Sequence, residues 1–310
     1  MKVLVLGSTG LAGSAILAEF KSLGYETIGL NRKTIDFSDE IATTEIFRGI
    51  SPQVVINAAA KVGGIVANDS APVEFLSENL IMQLNVCKAA HKVNVQKLVF
   101  LGSSCIYPSD SMQPIKEEYL MTGRLEKTNS AYSIAKIAGI ELVNSYRKEF
   151  GHRWISLMPT NLYGPRDNFN LHTSHVLPAL IRKFVEATTS SAESVTLWGS
   201  GIPRREFLHV KDFASAVVTA TLNYDSDLHM NIGTGEDISI SELALKVAEI
   251  SNFKGRIEWD ATKPDGTLRK VLDVSKVKAL GWNPLITLDE GIASTIAWYK
   301  DANSRGEVRK

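Results

Sequence analysis

The chain has 310 residues, 44% hydrophobic and 22% charged, the proportions of an ordinary globular protein. Lys plus Arg and Asp plus Glu both number 34, so the formal net charge is zero. That balance excludes a broad attraction to nucleic acid or an anionic membrane, and any anion site must be a local basic cluster. The length suits one large or two modest domains. No stretch approaches the roughly 20 apolar residues of a membrane helix, and the opening run Met1–Gly7 is too short for a signal peptide. Two cysteines, Cys87 and Cys105, make no disulfide framework; free thiols fit a reducing cytosol, so a cytoplasmic protein is expected. No metal is expected.

In chain order, Val3–Leu6 is a continuous apolar run, then come glycines and a helical pattern over Leu11–Leu23. Thr27–Leu30 and Gln53–Asn57 are the second and third strand candidates, and Glu74–Val93 reads as a long helix. Leu98–Leu101 is a fourth strand, followed by a loop rich in Ser and Pro, a helix over Ala131–Phe150 and a strand at Trp154–Met158. Continuous apolar strands separated by amphipathic helices imply a parallel sheet covered on both faces, with right-handed crossovers. The expectation is a Rossmann-like, doubly wound α/β fold. Further on, Val176–Ala187, Asp212–Leu222, Ser239–Ser251 and Asp289–Tyr299 look helical, with Gly and Pro concentrated at Gly199–Pro203 and Pro264–Gly266. We read residues 1–165 as the dinucleotide-binding domain, joined by some later segments. Residues 166–310 are read mainly as a smaller substrate lobe over the sheet's carboxyl edge.

Gly7-Ser8-Thr9-Gly10-Leu11-Ala12-Gly13 lies between a strand and a helix. There glycines permit a tight turn, close approach of a pyrophosphate and close helix–sheet packing. The helix N-terminus offers free N–H groups to the phosphates. The ribose contact falls about 20 residues on, at Asn31-Arg32-Lys33. A cation there suits the extra 2′-phosphate of NADP, and Arg can hold it bidentately. Asp36 and Asp39 leave an acidic contact open.

Tyr132 and Lys136, four apart on a predicted helix, share one face. A tyrosine near pKa 10 is a poor proton donor to an oxyanion unless its anion is stabilised. A neighbouring ammonium, with the positive charge of an oxidised nicotinamide, would lower that value. Just past the fourth strand comes Gly102-Ser103-Ser104-Cys105-Ile106-Tyr107-Pro108. A serine at this edge can hydrogen-bond a carbonyl oxygen as charge develops on it. Cys87, among Leu84, Val86 and Ala90, reads as inert packing.

Taken together, these residues resemble the extended short-chain dehydrogenase/reductases. Within them, long runs resemble the GDP-L-fucose synthases: NAAAKVGGIVAN at 57–68, LGSSCIYP at 101–108, YSIAKIAGIEL at 132–142 and MPTNLYGPRDNF at 158–169. SHVLPALIRKFVEA at 174–187, WGSGIPRREFLHV at 198–210 and KPDGTLRKVLDV at 263–274 extend the likeness over nearly the whole chain. The resemblance implies 3,5-epimerisation and NADPH-dependent 4-reduction of GDP-4-keto-6-deoxy-D-mannose. It implies Ser103, Tyr132 and Lys136 as the reducing centre, and Cys105 and His175 as the base and acid of epimerisation, with their division left open. For NADP(H) it adds Ala58, Leu101, Gly102, Ser104, Pro159, Thr160, Asn161, Leu162 and His175; for substrate, Lys183, Trp198, Arg205, Asp265 and Arg269. It also implies a homodimer through a four-helix bundle of the two long helices.

Two departures stand out. Thr9 replaces an arginine that some members direct to the 2′-phosphate, and Lys183 replaces a substrate arginine, keeping the charge but losing the planar fork. A 4,6-dehydratase is disfavoured, because Ser104-Cys105 stands where Asp-Glu would be. A 4-epimerase would hold NAD tightly and need no base at C3 or C5. A colitose-type epimerase-reductase is the nearer alternative. A non-catalytic NADP sensor would lack the Tyr or the Lys.

Overall fold

The computed structural model describes residues 1–263 and 265–309; Pro264, part of one Gly/Pro cluster, lies outside them. The first half runs β1 (Lys2–Leu6), α1 (Leu11–Ser22), β2 (Glu26–Leu30), α2 (Glu40–Ile50), β3 (Val54–Asn57), α3 (Ile65–Ser70), α4 (Pro72–Lys92), β4 (Lys97–Leu101), α5 (Ser130–Phe150) and β5 (Ile155–Pro159). The second half runs β6 (Asn161–Tyr163), α6 (Val176–Thr189), β7 (Ser194–Trp198), β8 (Arg204–Arg205), β9 (Phe207–His209) and α7 (Val210–Asn223). It ends with β10 (Met230–Ile232), β11 (Ile238–Ser239), α8 (Ile240–Ile250), β12 (Arg256–Asp260), β13 (Arg269–Lys270), α9 (Ser275–Ala279) and α10 (Leu288–Ser304).

Six strands form one parallel sheet in the order β10-β5-β4-β3-β1-β2. The order reverses beside β1, and in open α/β sheets the ligand crevice opens at that point, beyond the strands' carboxyl ends. The apolar runs of β1, β3 and β4 are buried almost throughout, as a sheet covered on both faces requires. The chain then recrosses itself. α7 packs on α1, β10 pairs with β5, and Val277 and Trp282 join the sheet's core. A second core gathers α6, α8 and α10 around Phe184, Leu243, Ile292 and Tyr299. Its helices are well started: Ser239 with Glu242, and Thr287 with Glu290, form capping boxes.

Of the elements that the sequence reading did not name, two belong to the main sheet and its cover. α2 fills the gap left between the second and third strands, and the Asp39 side chain caps it by accepting from Ala42 N at 2.9 Å. β10 spans three residues, too few for a period to register.

Gly139 is where α5 meets the sheet. A Cβ there would lie 2.2 Å from Phe100 Cζ and 2.8 Å from Gln83 Oε1. Gly→Ala inside a helix ordinarily gains about 1 kcal/mol, whereas forcing a methyl into a filled core costs about 1–3 kcal/mol. Phe100 is buried on β4 and Gln83 is tied to the Ala135 carbonyl, so neither yields cheaply. Gly139→Ala is therefore expected to lower the unfolding free energy by about 1–2 kcal/mol in urea denaturation. A variant as stable as wild type would show that the α5–sheet contact has room to spare.

Candidate active site

The glycine turn sits where the topology opens the crevice. Gly7 has φ +73°, and a Cβ on it would fall 2.6 Å from the Ala58 carbonyl oxygen at the end of β3. A Cβ on Gly13 would fall 2.2 Å from the Gly7 carbonyl oxygen. Both positions exclude side chains, so β1, β3 and α1 converge closely and leave the N-terminus of α1 open, with Gly10 at its cap. Such a cradle fits a dinucleotide pyrophosphate. After β2, Asn31 turns the chain, its side chain accepting from Lys33 N at 2.9 Å, and Arg32 and Lys33 are exposed. The two acids left open earlier have local work. Asp36 accepts from Ser38 N at 2.9 Å, and Asp39 caps α2.

Ser103 caps a short turn after β4, its hydroxyl accepting from Cys105 N at 3.2 Å. Tyr107 anchors this loop from below. Its hydroxyl donates to Asn231 Oδ1 at 2.5 Å and lies 3.0 Å from His229 Nε2, so β10 holds the loop in place. From the next helix, α5, Tyr132 and Lys136 point to the same edge. Lys136 Nζ donates to the Leu101 carbonyl at 2.8 Å and lies 4.9 Å from the Phe100 ring centroid and 5.8 Å from that of Tyr132. Burial pulls the Lys136 pKa from 10.5 down to about 8.

The sequence reading expected the ammonium, together with the positive charge of an oxidised nicotinamide, to lower the pKa of Tyr132. In the structure burial dominates and raises it, a charge on Cys105 would add to the rise, and the hydrogen bond with Ser103 opposes it. Tyr132 is therefore a neutral donor at physiological pH.

His175 forms the N-cap of α6. The residue keeps access to solvent, yet the protein packed around its ring lowers its pKa. The loop before it docks on the NAAAKVGG run: Gly64 N donates to the Thr173 carbonyl at 2.9 Å. A Cβ on Gly64 would come within 2.5 Å of the Ser174 oxygen.

Burial lowers the pKa of Arg205, and negative charge on Cys105 or Asp265 would oppose that. Its guanidinium donates to the Arg204 and Thr267 carbonyls at 2.8 and 2.5 Å. Asp265 is held by Ser200, accepting from its N–H at 2.9 Å and its hydroxyl at 2.6 Å. Trp198 is half exposed, with the Lys183 and Lys263 ammoniums 5.8 and 5.6 Å from its ring centroid. Lys263 was missed in the sequence, although it opens the KPDG run. Arg269 is drawn elsewhere: it pairs with Asp237, which Arg204 also grips at 2.6 Å. Asn161 ties the turn after β5 to the Glu206 carbonyl at 2.8 Å. A separate cavity of about 540 Å³, lined by Tyr163, Arg204, Asp237 and Lys246, contains none of the candidate catalytic residues. Among the described residues no group of three His, Cys, Asp or Glu side chains could hold a metal ion, and no helix is long and apolar enough to cross a membrane.

A glycine cradle at the reversal of a parallel sheet, with Ser, Tyr and Lys at its carboxyl edge, defines a nicotinamide-dinucleotide enzyme of the short-chain class. The sequence pattern of the NAD dependent epimerase/dehydratase family matches residues 3–233, and the chain belongs to that family. It is 49% identical over 300 residues to a probable GDP-L-fucose synthase 1 of Oryza sativa subsp. japonica, covering 96% of this chain and 92% of that protein. It is 46% identical over 314 residues to the GDP-L-fucose synthase of Escherichia coli K12, covering 98% of each. The crystal structure of a GDP-L-fucose synthetase from Naegleria fowleri bound to NADP superposes with a TM-score of 0.91 at 29% identity, over all of this chain and 96% of that one.

The lowered pKa of Lys136 has a thermodynamic signature. Between about pH 8 and 10.5 the unfolded chain keeps this proton and the folded chain releases it, so stability on this account rises with pH. Lys136→Met lacks that gain. The free-energy difference between the two proteins should therefore shift in favour of wild type by roughly 1–3 kcal/mol from pH 7 to 10.5 in urea denaturation. A difference independent of pH would mean that the ammonium stays hydrated.

Proposed function

We propose that this chain epimerises GDP-4-keto-6-deoxy-D-mannose at C3 and C5 and reduces C4 with NADPH, giving GDP-L-fucose. The observation that carries this reading is the convergence of Cys105, Ser103 and Tyr132 on one edge. A reductase alone needs only Ser103, Tyr132 and Lys136. A second proton-transfer group beside them is what epimerisation adds.

Protons at C3 and C5 are acidic because each is α to the C4 ketone, so loss of either forms an enolate with its charge on O4. Ser103 and Tyr132 donate to that oxygen. Cys105 takes the proton as the base. His175 returns a proton to the opposite face of the sugar, inverting the centre. NADPH, when bound, supplies hydride to C4. Tyr132 then gives its proton to O4, and the Lys136 ammonium steadies the resulting phenolate at the ring it faces. Arg32 and Lys33 are the groups for the 2′-phosphate, since Asp36 and Asp39 are occupied locally. Arg205, Lys183 and Lys263 address the GDP diphosphate and Trp198 its base; Asp265 holds the loop beside them. A cytoplasmic setting fits an enzyme that depends on a free Cys105 thiol.

The purified protein should oxidise NADPH, and NADH more slowly, when given the keto-sugar nucleotide, with GDP-L-fucose as product. Cys105→Ser should lose deuterium uptake from D₂O into C3 and C5 by about 10²-fold or more, as read by NMR. Uptake at the wild-type rate would remove Cys105 from the epimerisation step. Wild type that leaves both cofactor and sugar unchanged would remove the substrate assignment.

We also assign a homodimer through α4 and α5. The two helices pack on each other and leave Val73, Ile81, Leu84 and Ile134 exposed. Positions 73, 77, 81 and 84 form one stripe along α4. Ile81→Glu combined with Ile134→Glu should convert a dimer to a monomer in sedimentation at micromolar concentration. A wild-type monomer under those conditions would refute the assignment.

A further inference from the structure

Next to Arg205 stands Glu206, a carboxylate with no exposed surface. One of its oxygens accepts from Thr234 N at 2.6 Å and Gly235 N at 2.8 Å, with the Thr234 hydroxyl at 3.3 Å. The other oxygen accepts from Leu272 N at 2.9 Å. Its main-chain carbonyl accepts from the Thr160 hydroxyl at 3.3 Å and the Asn161 amide at 2.8 Å. Among the described residues no Lys or Arg pairs with it, so backbone N–H groups and threonine hydroxyls compensate the charge. The fit is close: a Cβ on Gly233 would lie 2.1 Å from the carboxylate.

A buried carboxylate is costly unless donors fill its oxygens. Donors from separate stretches of chain do so here. Thr234 and Gly235 follow β10, at the edge of the main sheet. Leu272 follows β13 and closes the run that carries Asp265 and Arg269. Thr160 and Asn161 lie beyond β5, at the sheet's carboxyl edge. An apolar residue of the same volume could fill the space but could not bind these stretches to one another.

We propose that Glu206 is a positioning residue for the sugar-nucleotide subsite: it locks the strand of Arg205 and the 265–272 segment to the main sheet, fixing the distance between the diphosphate-binding cations and Tyr132. The proposal rests on the assignment of Arg205 to the GDP moiety. Glu206 touches no reacting atom and acts through Arg205.

Glu206→Gln preserves size and shape but turns one oxygen into a donor. With the remaining oxygen kept on Thr234 and Gly235, the amide NH₂ faces the Leu272 N–H and that tie is lost. The KM for the sugar nucleotide should rise about tenfold or more, with kcat and the KM for NADPH changing less than about threefold. A purely structural residue would shift the melting temperature without splitting the two KM values. Arg205→Met, assayed alongside, separates the failures. If it raises the sugar KM and Glu206→Gln does not, the Glu206 proposal fails. If neither does, the assignment of Arg205 fails and takes the Glu206 proposal with it. Should Glu206→Gln not fold, hydrogen exchange on wild type serves instead. The Thr234, Gly235 and Leu272 amides should slow together on adding GDP and not on adding NADPH. Independent exchange of these amides overturns the proposal.

Discussion

The Lys136 ammonium is held inside the protein by one carbonyl oxygen, that of Leu101, between the rings of Phe100 and Tyr132. Water would solvate that charge far better, so the interior must supply a compensating surround. Much of the neighbouring architecture serves this end. Gly139 lets α5 close on Phe100, and Gln83 locks the α5 backbone through Ala135. The result is an ammonium that gives up its proton unusually easily, beside a phenol that keeps its own. This pairing suits an acid that must surrender a proton only when negative charge develops on a nearby oxygen.

Formal neutrality conceals a division of labour. Adjacent arginines on β8 take different partners. Arg204 is fastened to Asp237, which also takes Arg269, while the Arg205 guanidinium donates to the Arg204 and Thr267 carbonyls. Successive strand residues face opposite ways, so a single Arg-Arg step braces the lobe in two directions. Lys183 and Lys263 gather instead at the Trp198 ring.

The main sheet was legible in the sequence because burial on both faces forces continuous apolar runs such as those of β1 and β4. The grouping of Ser103, Tyr132 and Lys136 was legible because a four-residue helical spacing puts Tyr132 and Lys136 on one face and Ser103 follows a strand directly. What escaped depends on partners distant in the chain. Glu206 in the sequence is one acid in a charged run, and nothing local announces that it will meet Thr234, Gly235 and Leu272. The diversion of Arg269 to Asp237 is equally remote. Asp36 and Asp39 were weighed as ribose contacts because they follow a strand, but short-range turn and cap bonds claim both. The burial that raises the pKa of Tyr132 was not legible, because its depth is set by packing that a helix face does not reveal.

The sixth strand carries a consequence for biosynthesis. A nascent chain that has emerged through residue 165 owns five strands of the sheet but leaves the β5 edge bare. It also lacks Asn231, on which Tyr107 secures the loop of Ser103 and Cys105. Both defects are cured only when Met230–Ile232 arrives, by which time α6, β7 and α7 have already been made. The sheet edge and the loop of Ser103 and Cys105 therefore gain their final contacts only after residue 232 has been made. A truncated product ending before β10 would present an open parallel edge to other chains.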